Sequence, residues 1–178
     1  SYSTLQPWLC DQMRNGSEGE QMGAALGFAE VLLKMDKGRA EKLIPAIQIR
    51  CAVTEKWSQR RGFIELLDAM PLALKMDFVP YIQRLFPPML ANINGDKDPT
   101  QDPALRGSLS LVQRFGDLCP ELLLASFDGT FAATLQASTA EERHRNQVVR
   151  EKTAGLLGKV VDKILEHKKF GQDLVTTD

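Results

Sequence analysis

Two histidines, three cysteines and a scatter of carboxylates are the residues of this 178-residue chain best suited to carry a reaction. They do not assemble into a site. His144 and His167 each lack a second ligand at metal-site spacing, and no His-Glu-x-x-His is present. Cys10, Cys51 and Cys119 are odd in number, far apart and outside any Cys-x-x-Cys spacing. They are expected to be reduced thiols in a reducing compartment, packed as small hydrophobes in helices. Gly23-Ala-Ala-Leu-Gly27 lacks the Gly-Lys-Ser/Thr ending of a phosphate loop. Glu141-Glu142 suits the first turn of a helix, where carboxylates meet its positive end. Glu65 and Asp68 are expected on a solvent face. With no nucleophile, base and orienting partner in view, the expectation is a non-enzyme, with no catalytic residue, no metal, no cofactor and no small-molecule substrate.

Charge is the remaining chemistry. The net charge of −1 steers the whole chain toward neither nucleic acid nor an acidic surface, so a charged partner must meet a local patch. From Glu141 to Lys169, eight Lys/Arg stand against five acids. Arg143, Arg145, Lys152, Lys159, Lys163, Lys168 and Lys169 are the candidates for contact with a partner. Lys152, Lys159 and Lys163 fall at i, i+7 and i+11, a stripe beside the apolar face of one helix. Such a stripe can touch RNA phosphates in a salt-dependent way, or it can be an ordinary solvated face with cations near a helix C-terminus. Aromatic residues that would stack on bases are not interleaved with it. Arg60 and Arg150 are assigned a structural role, pairing with acids or carbonyls between adjacent repeats. Trp8 and Trp57 have the type of binding anchors, although packing is the commoner use of such residues in helices.

The elements that must position these residues are helical and repeated. Leu5-x-Pro7-x-Leu9, Leu43-x-Pro45-x-Ile47, Leu85-x-Pro87-x-Met89 and Leu123-x-Ala125-x-Phe127 share one pattern, each followed four positions on by Met13, Cys51, Ile93 or Phe131. The leading leucines lie 38, 42 and 38 residues apart, a period that marks a repeat array. Within each copy the apolar residues fall on one helical face. Between the copies lie second helical patterns, from Gly23 to Leu33, Gly62 to Met70, Ala104 to Val112 and Val149 to Val161, with no strand-like alternation. Ala24, Ala25, Gly27, Gly62, Gly107, Ala154, Gly155 and Gly158 predict close helix approach, because glycine inside a helix is otherwise about 1 kcal/mol worse than alanine. Pro120 suits a first helical position, Ser138-Thr-Ala-Glu141 has capping-box spacing, and Met70-Pro71 should end or bend a helix. Prolines at matched positions of three first helices predict a shared bend there. The segments 96–103 and 138–147 are expected as long loops. The fold class is therefore all-α, an α-solenoid of about four helix–turn–helix repeats. Its units are expected at about 1–36, 37–76, 77–119 and 120–167, with 168–178 beginning a further repeat or fraying.

Val149-Arg150-x-x-Thr153-Ala154-x-Leu156-Leu157-Gly158 resembles the second-helix signature of HEAT repeats. Arg60 stands at the matching arginine position of the second unit, whereas Glu20 and Gln101 depart from it in the first and third. Further motifs follow in order: Tyr2-Ser-Thr-Leu-Gln-Pro-Trp-Leu9, Gly23-Ala-Ala-Leu-Gly-Phe-Ala-Glu-Val31, Glu41-Lys-Leu-Ile-Pro-Ala-Ile47, Arg61-Gly62 with Met70-Pro71, Phe78-Val-Pro-Tyr81, Ala104-Leu-Arg106 and Leu156-Leu-Gly158. Over about residues 2 to 165 their sequence resembles a central stretch of the general-control translational activators. That family comprises very large HEAT-repeat proteins that sit on ribosomes and promote activation of the starvation-response kinase of the initiation-factor-two alpha subunit. The resemblance implies a cytoplasmic scaffold segment whose partners are the ribosome and translation-control proteins, with the direct kinase-binding region elsewhere in the family. A generic HEAT adaptor for transport or phosphatase cargo, taking an amphipathic or acidic peptide, and the HEAT domain of an elongation-factor-three-like protein are the alternatives. No run approaches the roughly 18 apolar residues of a membrane span, and the start of the chain shows no signal-peptide pattern. A piece of a longer solenoid would leave apolar end faces, expected at Leu5, Trp8 and Leu9 and at Val160, Val161, Ile164 and Leu165.

Overall fold

In the computed structural model, which describes residues 2–176, the chain folds as α1 (Tyr2–Asn15), α2 (Glu18–Lys34), α3 (Lys37–Arg50), α4 (Trp57–Leu74), α5 (Ile82–Ala91), α6 (Pro103–Phe115), α7 (Pro120–Thr134) and α8 (Ala140–Thr176). Short 3₁₀ segments at Lys75–Tyr81 and Pro99–Gln101 precede α5 and α6. There is no strand among the described residues. Residue 1 of the first expected unit and residues 177 and 178 of the expected tail lie outside them.

The chain is an all-α solenoid of helical repeats. The second helices α2, α4, α6 and α8 stack side by side in chain order, and α3, α5 and α7 form a neighbouring layer of first helices. The repeated apolar positions face the core between the layers: Leu9, Ile47, Met89 and Phe127 are buried, as are Met13, Cys51 and Ile93. At the N-terminal end of the array Trp8 is 57% exposed, and toward the other end Leu165 is 57% exposed, while Val160 is fully buried.

Prolines sit inside α1, α3, α4 and α5 rather than at their starts. A helical proline lacks the N–H that would serve the carbonyl four residues before it. For Pro88 that carbonyl belongs to Arg84, and Gln48 of α3 donates to it at 3.0 Å. The lost bond becomes a link between neighbouring first helices. Pro71, expected to end or bend α4, lies within it, and the helix runs on to Leu74. The end falls instead at Lys75, whose φ of 52° is a left-handed conformation unusual for a side-chain-bearing residue.

Two loops differ from their sequence expectation. The segment 138–147 is not a long loop: α8 starts at Ala140. The capping box is one residue later than predicted, with the Thr139 hydroxyl accepting from Glu142 N at 3.1 Å and the Glu142 carboxylate accepting from Thr139 N at 3.2 Å and from Ser138 N at 2.7 Å. Those backbone donors hold the Glu142 carboxyl below its ordinary pKa. The loop before α6 is long, as expected, and is tied by successive side-chain turns: Asn94 accepts from Asp96 N, Asp96 from Asp98 N, and Asp98 from Thr100 N, at 2.8–2.9 Å. Buried Asp102 closes it, accepting from Gly95 N at 2.8 Å and from Leu105 N at 3.2 Å at the start of α6. Replacing Asp102 by alanine removes a helix cap and strands the Gly95 N–H, so the expected loss is about 2 kcal/mol, read by urea unfolding. A loss below about 0.5 kcal/mol would show that the loop is held by other bonds.

Candidate functional site

The contacts of α4 with the neighbouring second helices α2 and α6 include ion pairs that were not predicted from the sequence. Arg61 of α4 forms an ion pair with Glu18 of α2 and donates to the Thr100 carbonyl at 3.4 Å. One unit on, Arg106 of α6 reaches back to α4, where Nη2 donates to Glu65 at 2.9 Å and Nε to Asp68 at 2.9 Å. Each arginine precedes a glycine, Gly62 or Gly107, which lies against the preceding repeat. Glu65 is therefore not on a solvent face as expected: it is 5% exposed, and Asp68 is partly buried beside it. Burial pushes both carboxyls above their ordinary pKa, while Arg106 pulls them back down. The Arg-Gly dipeptides, repeated 45 residues apart (61 to 106), were the signal in the sequence.

The small residues divide in two. Gly62 and Gly107 are tight approach points, but Gly155 and Gly158, predicted to be the same, have nothing within 4 Å of the place a Cβ would take and face open space.

Arg60 and Arg150 hold carbonyls. Arg60 donates to Asn92 Oδ1 at 2.8 Å and to the Glu55 carbonyl at 2.5 Å, with its guanidinium 5.2 Å from the Trp57 ring centroid. Asn92, at the end of α5, donates in turn to the Cys51 carbonyl at 2.8 Å, so one side chain ties α3, α4 and α5 together. Arg150 donates to the Thr134 carbonyl at 2.7 Å, a bond within the α7–α8 pair rather than between neighbours.

The basic residues of α8 fall into two groups. Lys163 bonds Asp117 at 3.3 Å, next to His167 on the same carboxylate at 3.1 Å, and these two hold the Asp117 carboxyl below its ordinary pKa. Lys152 is exposed beside the Gly95 turn, Lys159 is exposed, and Lys168 and Lys169 are exposed on the outer length of the helix. The stripe therefore runs along the flank of α6 and is partly matched by acid. The second group gathers around the α7–α8 turn. Arg143, His144 and Arg150 line a depression of about 640 Å³, and Arg145 lines a second of about 560 Å³ with Val53 and Thr54 of the α3–α4 loop. Arg145 lies close enough to Arg60 to depress the pKa of that guanidinium, after burial itself. Four arginines from two units thus mark one edge of the solenoid, with Glu142 and Glu151 directly adjacent to Arg143 and Arg150 in the chain.

Cys51 is buried and its thiol is pushed far up by desolvation; Cys10 and Cys119 are raised for the same reason. No group of three metal-type side chains comes together among the described residues. No helix of the described residues is long and apolar enough to cross a membrane.

These features define an α-solenoid of helical repeats tied together by ion pairs and carbonyl contacts, with an arginine edge. The chain is similar to a segment of proteins described as "eIF-2-alpha kinase activator GCN1", at 27% identity in Dictyostelium discoideum over 129 residues (72% of this chain) and at 25% in Saccharomyces cerevisiae over 128 residues (71%). It is likewise 26% identical to the human "Stalled ribosome sensor GCN1" over 129 residues, 71% of this chain. The resemblance read from the residues is thus to a GCN1-like segment, distant and partial. In each case the match spans only 5% of the relative's length. No family model matches the chain, and no solved structure matches it.

Proposed function

We propose that this chain is a non-catalytic scaffold segment, of HEAT type, within a cytoplasmic ribosome-associated regulator of translation that promotes activation of the initiation-factor-two alpha kinase. The observation that carries this is the similarity to kinase activators of an amoeba and a yeast and to a ribosome sensor of an animal. The four units are successive repeats of a longer solenoid. Ribosome and translation-control proteins are its partners, and the arginine edge formed by Arg60, Arg143, Arg145 and Arg150 is the surface best suited to RNA phosphates, since guanidinium forks match them in charge and geometry.

Co-sedimentation of the 178-residue chain with purified ribosomes tests this. Binding is expected at low salt and should fall steeply as salt rises. Arg143→Glu with Arg145→Glu should weaken it at least about fivefold, because both side chains are exposed and reversal replaces attraction with repulsion. No co-sedimentation at low salt would overturn the ribosome contact, and full binding by the double variant would remove this edge from it.

A further inference from the structure

One face formed by α2, α4 and α6 carries exposed apolar side chains beside a buried acid. Met22 and Leu26 stand one turn apart on α2, 40% and 53% exposed, and Leu72 on α4 is 60% exposed. They border a groove of about 230 Å³ that Glu65 and Asp68 also line. Small-molecule sites begin at about 300 Å³, so the space suits one long side chain rather than a cofactor. Exposed leucines and methionines grouped around a cavity mark a surface that is covered in use.

The charge of the groove is unbalanced. Glu65 and Asp68 share the single guanidinium of Arg106, and the nearby Arg61 is matched by Glu18 on α2. Two cations against three carboxylates leave one negative charge. Glu65 Oε1 is buried without a hydrogen-bond donor among the described residues, and Asp68 beside it is 20% exposed, so an incoming cation meets the pair through Asp68. We propose that this groove binds a partner protein through a lysine or arginine flanked by apolar residues on one face of a helix. The alkyl stem of such a residue lies along Met22, Leu26 and Leu72 while its head reaches the Glu65–Asp68 pair; the flanking apolar residues cover the exposed leucines. An acidic partner residue would meet an uncompensated carboxylate. Docking here needs no ribosome and uses a face other than the arginine edge.

The test is selection from a displayed library of helical peptides, about 18 residues long so as to span several turns, against the intact 178-residue chain, followed by anisotropy titration of the enriched peptides. The enriched sequences are expected to carry Lys or Arg with Leu, Met or Phe three or four positions away. Replacing the basic residue with norleucine should weaken binding at least about tenfold. Glu65→Gln should do the same, and so should Leu72→Asp, whose exposed position leaves folding intact by circular dichroism. Enrichment of acidic peptides, no enrichment at all, or binding indifferent to both substitutions would overturn the proposal. Concentration-dependent self-association abolished by Leu72→Asp would also overturn it, by identifying a second copy of the chain as the occupant. Peptide binding that survives Arg143→Glu with Arg145→Glu separates this result from that of ribosome docking.

Discussion

Gly62→Ala is expected to lower the stability of the chain by about 3 kcal/mol, the upper part of the range for overpacking a tight interior. A Cβ at this position would overlie the Met13 carbonyl and stand 2.7 Å from both the carbonyl carbon and the Cα of Met13. The obstacle is backbone, so no rotamer change relieves it; α1 as a whole must move away from α4. The same carbonyl accepts from Gln21 Nε2 at 3.1 Å, and Gln21 also donates to Ser58 O at 2.8 Å. Moving α1 therefore breaks a buried amide bridge that joins three helices. Urea unfolding gives the loss, and hydrogen exchange should localise it to α1. Gly155→Ala is the matched control: with nothing within 4 Å of its Cβ, it should raise stability by about 1 kcal/mol through helix propensity alone. Equal effects of the two substitutions would contradict the close approach of α1 and α4.

Arg106→Ala should be nearly as damaging at neutral pH, and its effect should depend on pH in a defined direction. The substitution leaves Glu65 and Asp68 close together without their shared cation, and removing one member of a buried pair costs about 3 kcal/mol or more. The low end applies, since Arg106 itself is 34% exposed at its side chain. Burial already raises both carboxyl pKa values above those of the unfolded chain, against the pull of Arg106. In the window from about pH 4 up to these raised values, the folded state holds more protons than the unfolded one. Stability from these groups is therefore fully present below that window and declines as pH rises through it. Without Arg106 the pKa values rise further and the decline extends toward neutrality. The difference between variant and parent should thus be largest near about pH 7 and shrink as the pH approaches about 4. A pH-independent loss would mean that packing of the arginine stem, not its charge, is what matters. Adding Glu65→Gln and Asp68→Asn to the variant should recover most of the loss.

The helices were legible because their cause is local. Residues at i, i+4 and i+8, such as Leu85, Met89 and Ile93, specify a face whatever lies opposite it, and all three are buried. Contacts between repeats were not legible in the same way. Arg106 and Asp68 are 38 residues apart, and nothing in the charge of either tells that they meet. Read alone, Glu65 is a polar residue in a helix; only the stacking of α6 on α4 buries it. The glycines make the same point, since Gly62 and Gly155 occupy similar-looking helical contexts and only what faces them separates a necessary glycine from a replaceable one. Pro88 is a case where local chemistry gave half the answer. The lost N–H was certain from sequence, but the donor that replaces it, Gln48, comes from the previous repeat. Among the candidate binding residues, the spacing placed the lysines of α8 on one flank, while the partner of Lys163 on Asp117 and the meeting of Arg60 with Arg145 depended on how the units stack.

Helix α8 has 37 residues against 13 in α6, its neighbour in the stack, or roughly 55 Å against 20 Å. Its buried anchors Val149, Thr153, Leu156 and Val160, with Ile164 packed on the core and Lys163 and His167 bonded to Asp117, all lie before its last nine residues. Mechanically it is a cantilever clamped on one side. A tilt of about ten degrees at His167 carries the backbone of Thr176 by roughly 2 Å, whereas the same tilt of the shorter α6 would be absorbed within its own seat. Angular play between repeats is thereby amplified at one end of the array, and a partner that grips the outer turns of α8 would hold the longest moment arm on the curvature of the solenoid.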